Sequence, residues 1–205
     1  MRILITGGRG ETARPIAEAL RDHTLTLFDL PDGDIRNPEA VRAAARGMDA
    51  VIHLAVNTAD PGDSALTFET NVYGTYNVLC AARDNHVGKI LLAASAPVHL
   101  PPGACCSKDA DFPYDLTKLL QEDMARRFAQ TFHMNILTLR LGHIVDGRAK
   151  TDLHGTPLRE VTYCRGGWVC RYDVAQAFRQ ALEAGFTGYR QIDVIGVHQE
   201  TFLES

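Results

Sequence analysis

The feature that most constrains this chain is its opening, where the apolar run Arg2-Ile3-Leu4-Ile5-Thr6 breaks at once into Gly7-Gly8-Arg9-Gly10 and then into a helix-forming segment. Gly8, Gly10 and Ala13 match the G-x-G-x-x-G/A spacing: a tight turn, a bare backbone that a pyrophosphate can approach, and a small residue where helix meets strand. A helix opening near Glu11 would aim its unpaired N–H groups and the positive end of its dipole at such a ligand. Asp29 closes the next apolar run (Leu25, Leu27, Phe28), about 20 positions beyond Gly10, where a carboxylate can accept the ribose hydroxyls of adenosine. Its charge would repel a 2′-phosphate, so the expected cofactor is NAD rather than NADP.

The rest of the chain alternates strand and helix. Residues 11–21 carry Ile16, Ala19 and Leu20 at helical spacing, and 24–29 read as a strand. Pro15 falls so early in that helix that the N–H it lacks would have had no intrahelical partner. Further helices are expected over 38–46, 65–85, 113–132 and 173–184, and strands over 50–55, 89–94, 135–141 and 191–195. Such alternation predicts an α/β fold, a doubly wound, mostly parallel sheet with helices on both faces. Two stretches, 96–112 and 146–168, read as irregular loops. Both follow the carboxyl ends of strands, where open α/β sheets bind ligands, so the substrate is expected there.

With 205 residues, 45% hydrophobic and 22% charged, the chain can bury a full core, and one domain over 1–205 is expected. A formal net charge of −4, without a cluster of Lys and Arg, offers nothing to a nucleic-acid backbone or an acidic membrane. Cys80, Cys105, Cys106, Cys164 and Cys170 are odd in number and lack C-x-x-C spacing, which argues against a disulfide framework or a zinc site. The adjacent pair Cys105-Cys106 reads as incidental rather than redox-active. The eight histidines show no metal spacing either. With a strand starting at Met1 and no run of membrane-spanning length, the expectation is a soluble, cytoplasmic protein.

Tyr114 and Lys118 lie at i and i+4 of an expected helix, so both side chains project from one face. Tyrosine ordinarily titrates near 10. A neighbouring ammonium and a positive nicotinamide ring would favour the phenolate and bring it toward a value useful to a general acid/base. Ser95, at the carboxyl end of the preceding strand, could hold a substrate oxygen near Tyr114.

Taken together, these residues resemble the extended short-chain dehydrogenase/reductase family, the NAD-dependent epimerases and dehydratases, along nearly the whole chain. The family's T-G-x-x-G-x-x-G motif is matched by Thr6, Gly7, Gly10 and Ala13, its H-L-A segment by His53-Leu54-Ala55, and its N-V-x-G-T helix by Asn71-Val72-Tyr73-Gly74-Thr75. The resemblance implies cofactor contacts from Gly7, Gly8, Arg9, Gly10, Glu11, Thr12, Asp29, Asp34, Ile35, Leu54, Ala55, Val56, Asn71, Tyr114 and Lys118. It implies a catalytic trio of Ser95, Tyr114 and Lys118. The chain looks nearest to compact uronate dehydrogenases, which oxidise the anomeric carbon of a free sugar acid, through Arg140-Leu141-Gly142 and through Trp168 followed by Asp173. It departs from them where Ala96-Pro97 replaces an Asn-His used on the sugar. It also ends before the usual C-terminal lobe that grips a nucleotide diphosphate, so a small substrate, a sugar acid in first place, is expected.

Three side chains outside the trio are candidates for the substrate: His99, His143 and Arg165, the last as a carboxylate clamp with Arg159 as its rival. His53, in a buried strand, reads as a satisfied core residue, and Trp168 as either a seal on the core or a pocket wall. Surplus apolar residues on helices 65–85 and 113–132 point to a homodimer, as the resemblance also implies. Two other functions share this framework. An epimerase would return the hydride and make no net NADH; an NAD-binding sensor would be expected to have lost Tyr114 and Lys118.

Overall fold

Ile3 and Ile5 of the first strand face one way and Leu4 the other, and that alternation sets out the two halves of the core. The computed structural model describes residues 1–58, 64–99, 112–161 and 167–196. Its elements are β1 (Arg2–Thr6), α1 (Ala13–Ala19), β2 (Thr24–Phe28), α2 (Pro38–Ala44), β3 (Ala50–His53), α3 (Ser64–Phe68), a π turn (Glu69–Gly74), α4 (Thr75–Asp84), β4 (Lys89–Ser95), α5 (Phe112–Phe132), β5 (Ile136–Leu141), β6 (His143–Asp146), β7 (Thr151–Asp152), β8 (Trp168–Cys170), α6 (Arg171–Glu183) and β9 (Tyr189–Val194). Short 3₁₀ turns fall at Pro97–His99 and Leu158–Glu160.

The main sheet is six-stranded, in the order β2-β1-β3-β4-β5-β9, with every pairing parallel. This is the doubly wound, Rossmann-like sheet that the alternation predicts. The chain turns back across β1 when it passes from β2 to β3, which leaves a crevice above the carboxyl ends of β1 and β3. One core lies under α1 and α6 (Ile3, Ile5, Ile16, Leu91, Leu139, Phe178), the other under α2, α4 and α5 (Leu4, Val41, Val78, Ile90, Phe128). The central strands are buried on both faces, which is why β3 and β4 read as unbroken apolar runs. Among the described residues no helix is long and apolar enough to cross a membrane.

Three expectations need correction. The helix expected over 11–21 begins only at Ala13, because the glycine turn runs on, closed by Gly10 N–H to Gly7 C=O and Ala13 N–H to Gly10 C=O. The long helix expected over 65–85 is interrupted by the π turn at Glu69–Gly74. The apolar spacing is much the same on both sides of the extra residue, so periodicity alone does not mark it. The stretch 146–168, read as irregular, contributes to a second, three-stranded sheet in the order β7-β6-β8. Trp168 is fully buried there against Val145 and Leu158, and so seals this small core. Cys105, Cys106, Cys164 and Arg165 lie outside the described residues.

Candidate active site

The glycine turn is held in place by what surrounds it. Gly7 has a φ of +68°, and a Cβ there would lie 2.6 Å from the Ala55 nitrogen, so only glycine lets the loop after β3 pack against the turn. Asp29, at the end of β2, accepts the Arg9 N–H at 2.9 Å through Oδ2 and the Leu30 N–H at 2.8 Å through Oδ1. The Arg9 guanidinium bonds the Leu30 carbonyl at 2.9 Å and also pairs with Asp32. From the other side, Arg171 of α6 donates to the Glu11 carbonyl at 2.6 Å. Asp34 forks onto the Arg36 side chain at 2.7 and 3.0 Å. The buried Ile35 packs where a Cβ on Gly74 would collide with it, and its carbonyl accepts from Asn77 at 3.0 Å. The loop after β2 and the glycine turn are thus fastened to α4 and α6 respectively.

A buried polar chain links this turn to α5. The Thr75 hydroxyl donates to the Asn71 carbonyl at 2.6 Å, which commits its one proton. It therefore accepts from the Gln121 amide at 2.7 Å and from His53 Nε2 at 2.8 Å. His53 carries its proton on Nε2, and Nδ1 accepts from the Thr6 hydroxyl at 2.6 Å. Burial pulls His53 down to about 3, with the Lys118 charge adding to the shift. It stays neutral in the working range and is the satisfied core residue that the sequence suggests. The π turn presents the Asn71 side chain to two neighbours: Oδ1 accepts the Asn57 N–H at 2.7 Å, and Nδ2 donates to the Thr117 hydroxyl at 2.9 Å. The loop after β3 and the helix bearing Tyr114 are thereby tied together.

These elements enclose a cavity of about 420 Å³ whose lining includes Thr12, Leu54 and Val56 as well as Ser95, Tyr114 and Lys118. The three residues expected to act together line the same cavity. Lys118 is buried and donates to the Ala93 carbonyl at 2.7 Å. Burial lowers its ammonium to about 8 against the upward pull of Glu122, so it is charged below that pH and loses its charge as pH rises through it.

The substrate candidates separate. His143 lines the cavity. His99 does not: its Nε2 lies 2.9 Å from Oε1 of the buried Glu122, which Arg140 also grips at 2.7 to 3.1 Å. Arg165 lies outside the described residues, and its rival Arg159 is exposed beside Glu160. Sequence reasoning missed Asp152, Leu153 and His154, which β7 and the turn after it bring into the wall. A signal was present in Asp146-Gly147, a dipeptide that favours a hairpin.

The arrangement fits a dinucleotide: a glycine turn that a side chain would fill, a carboxylate at the end of β2, and a cavity lined by Thr12, just past the turn, together with a tyrosine and a lysine. A family model described as the NAD dependent epimerase/dehydratase family matches residues 3–163. The chain is 28% identical over 213 residues to an L-arabinose 1-dehydrogenase (NAD(P)(+)) of Haloferax volcanii, an alignment covering 89% of this chain and 83% of that protein. Among solved structures it resembles a short-chain dehydrogenase/reductase superfamily protein from Agrobacterium tumefaciens with bound NAD, at a TM-score of 0.80 and 22% identity, covering 100% of this chain and 81% of that one. It also resembles a mutated uronate dehydrogenase, at a TM-score of 0.72 and 20% identity, covering 98% and 79%. At those identities the structural likenesses establish the fold.

Proposed function

The chain belongs to the NAD dependent epimerase/dehydratase family, and from that premise we propose that it is an NAD-dependent oxidoreductase that oxidises a hydroxyl carbon of a small free sugar. The observation that carries this reading is the cavity lined by Thr12, at the start of α1 just past the glycine turn, together with Ser95, Tyr114 and Lys118. The arabinose dehydrogenase among its relatives supports the sugar, and a cavity of about 420 Å³ suits a small molecule.

Gly7, Gly8, Arg9, Gly10, Glu11 and Thr12 would hold the pyrophosphate side of NAD, Asp29 its adenosine ribose, Asp34 and Ile35 the adenine side, and Leu54, Ala55 and Val56 the middle of the cleft. Asn71, fully buried and bonded to Asn57 and Thr117, would brace the loop after β3 from behind rather than touch the cofactor. NAD, when bound, supplies the hydride acceptor. Tyr114 takes the proton from the substrate hydroxyl and Ser95 bonds the same oxygen, so the carbon that gives up hydride becomes a carbonyl. Lys118 favours the phenolate by its charge and bonds the nicotinamide ribose. One domain over 1–205 and a cytoplasmic location accord with the continuous sheet and with the free thiols of Cys80 and Cys170. Exposed Tyr73, Tyr76, Leu119, Leu120 and Phe132 on the helical face around α4 and α5 support a homodimer through that face.

The test is to mix the protein with NAD and a panel of free sugars, sugar acids and nucleotide sugars and follow NADH. Net NADH from a free sugar is expected. Turnover of nucleotide sugars without net NADH would instead assign an epimerase.

A further inference from the structure

β6 and β7 form an antiparallel hairpin in which Val145 pairs with Asp152, and β6 pairs on its other side with β8, His143 opposite Trp168. That register sets His143, Asp152 and His154 together along the substrate end of the cavity, with Ser95 and Tyr114 lining the same space. Asp152 is not loose. Its Oδ1 accepts the His154 N–H at 2.9 Å and the Thr156 N–H at 2.8 Å. Burial alone would raise its carboxyl, yet those N–H groups, the Thr156 side chain and the charge of His154 carry it below the ordinary value, so it is ionised at neutral pH. His143 is pushed below its ordinary value by burial, which Asp152 opposes and His154 reinforces, and its backbone N–H is anchored to the Gly167 carbonyl at 2.8 Å. Among the described lining residues Lys118 is the one lysine or arginine, and its ammonium is turned onto the Ala93 carbonyl.

Resting on the reading of Ser95, Tyr114 and Lys118 as the reacting centre, we propose that His143, Asp152 and His154 form a recognition wall for an uncharged aldose, and that Asp152 selects against the matching sugar acid. A fixed carboxylate accepts hydrogen bonds from vicinal hydroxyls, and the imidazoles flanking it can donate to their oxygens. A substrate carboxylate at the same wall meets the like charge of Asp152, a penalty on the order of tenfold in affinity.

L-arabinose, D-galactose and D-galacturonate provide the test, since they share ring stereochemistry and carry H, CH₂OH or COO⁻ at carbon 5. The wild type is expected to favour the two neutral sugars in kcat/KM by about tenfold or more over galacturonate. Asp152→Asn keeps an oxygen for the turn's N–H groups, and should weaken the neutral sugars about tenfold, mainly through KM, while closing the gap to the acid. His143→Gln should weaken the neutral sugars and leave the gap as it is. Calorimetry of the same sugars on the enzyme–NADH complex reads the wall independently of turnover. A protein that binds the neutral sugars there but does not oxidise them would overturn the catalytic reading and leave this proposal standing. Preference for galacturonate, no binding of either neutral sugar, or an unchanged gap in Asp152→Asn would overturn the proposal itself.

Discussion

Gly7 and Gly155 both sit at positive φ, +68° and +90°, yet a Cβ on Gly7 would collide with the Ala55 backbone while one on Gly155 would meet nothing within 4 Å. The two glycines stand for two ways of building the surroundings of the site. At the cofactor end, backbone meets backbone: Gly7 against Ala55, Arg9 N–H on Asp29, Asn71 on the loop after β3. Around β6 and β7 a three-stranded sheet of short strands, packed on Trp168, brings His143 and Asp152 to the cavity from a hairpin. Geometry made by backbone admits few residue types, whereas a wall of projecting side chains can change its chemistry without disturbing the fold beneath it.

The largest expected effect that tests this contrast comes from the glycines themselves. Gly7→Ala should raise the NAD dissociation constant on the order of 100-fold, about 3 kcal/mol, and lower the melting temperature, because it adds both a clash and strain. Gly155→Ala should cost only the strain, roughly 1 kcal/mol of stability, and leave NAD affinity unchanged. Equal losses of NAD affinity in titrations of the two variants would erase the distinction.

A somewhat smaller effect probes how the cofactor end is tied to α5. Thr75→Val removes the hydroxyl shared by His53, Gln121 and the Asn71 carbonyl. Leaving buried groups short of partners should cost roughly 1–3 kcal/mol in urea unfolding. No change in the midpoint would mean that the chain of hydrogen bonds is incidental.

The smallest concerns the charge at the end of β2. Asp29→Asn keeps an acceptor for the Arg9 N–H but loses the charge, so the preference for NAD over NADP should shrink about tenfold, or ~1.4 kcal/mol. Arg9, now held by Asp32 and the Leu30 carbonyl, stands close enough to Asp29 to meet an added 2′-phosphate. An unaltered ratio in calorimetric titrations would remove Asp29 from the discrimination.

The same contrast explains what was legible in the sequence. Thr6 to Gly10, Asp29, Ser95, Tyr114 and Lys118 stand at the strand ends, the turn and the helix where the sequence puts them, because a strand's end and a helix face fix position through periods of 2 and 3.6. The π turn escaped because one inserted residue leaves the apolar pattern of α3 and α4 nearly unchanged. β7 and β8 escaped because runs of two and three residues are too short for a period to register. His99, a candidate for the substrate, turns to the carboxylate of Glu122 instead. Its partner Glu122 lies eight residues beyond Tyr114 on α5, and nothing in the sequence shows the half-buried Arg140 that grips the carboxylate.

Tyr114 lines the cavity together with Thr12, His143 and Asp152, and its replacement tests the account most directly. In Tyr114→Phe, stopped-flow formation of NADH from whichever sugar the wild type oxidises best should slow by roughly 10²- to 10⁴-fold. NAD should bind almost as before, since its main contacts lie along the glycine turn. Full-rate NADH formation in Tyr114→Phe would contradict the assignment of the proton-transfer step to this cavity's tyrosine.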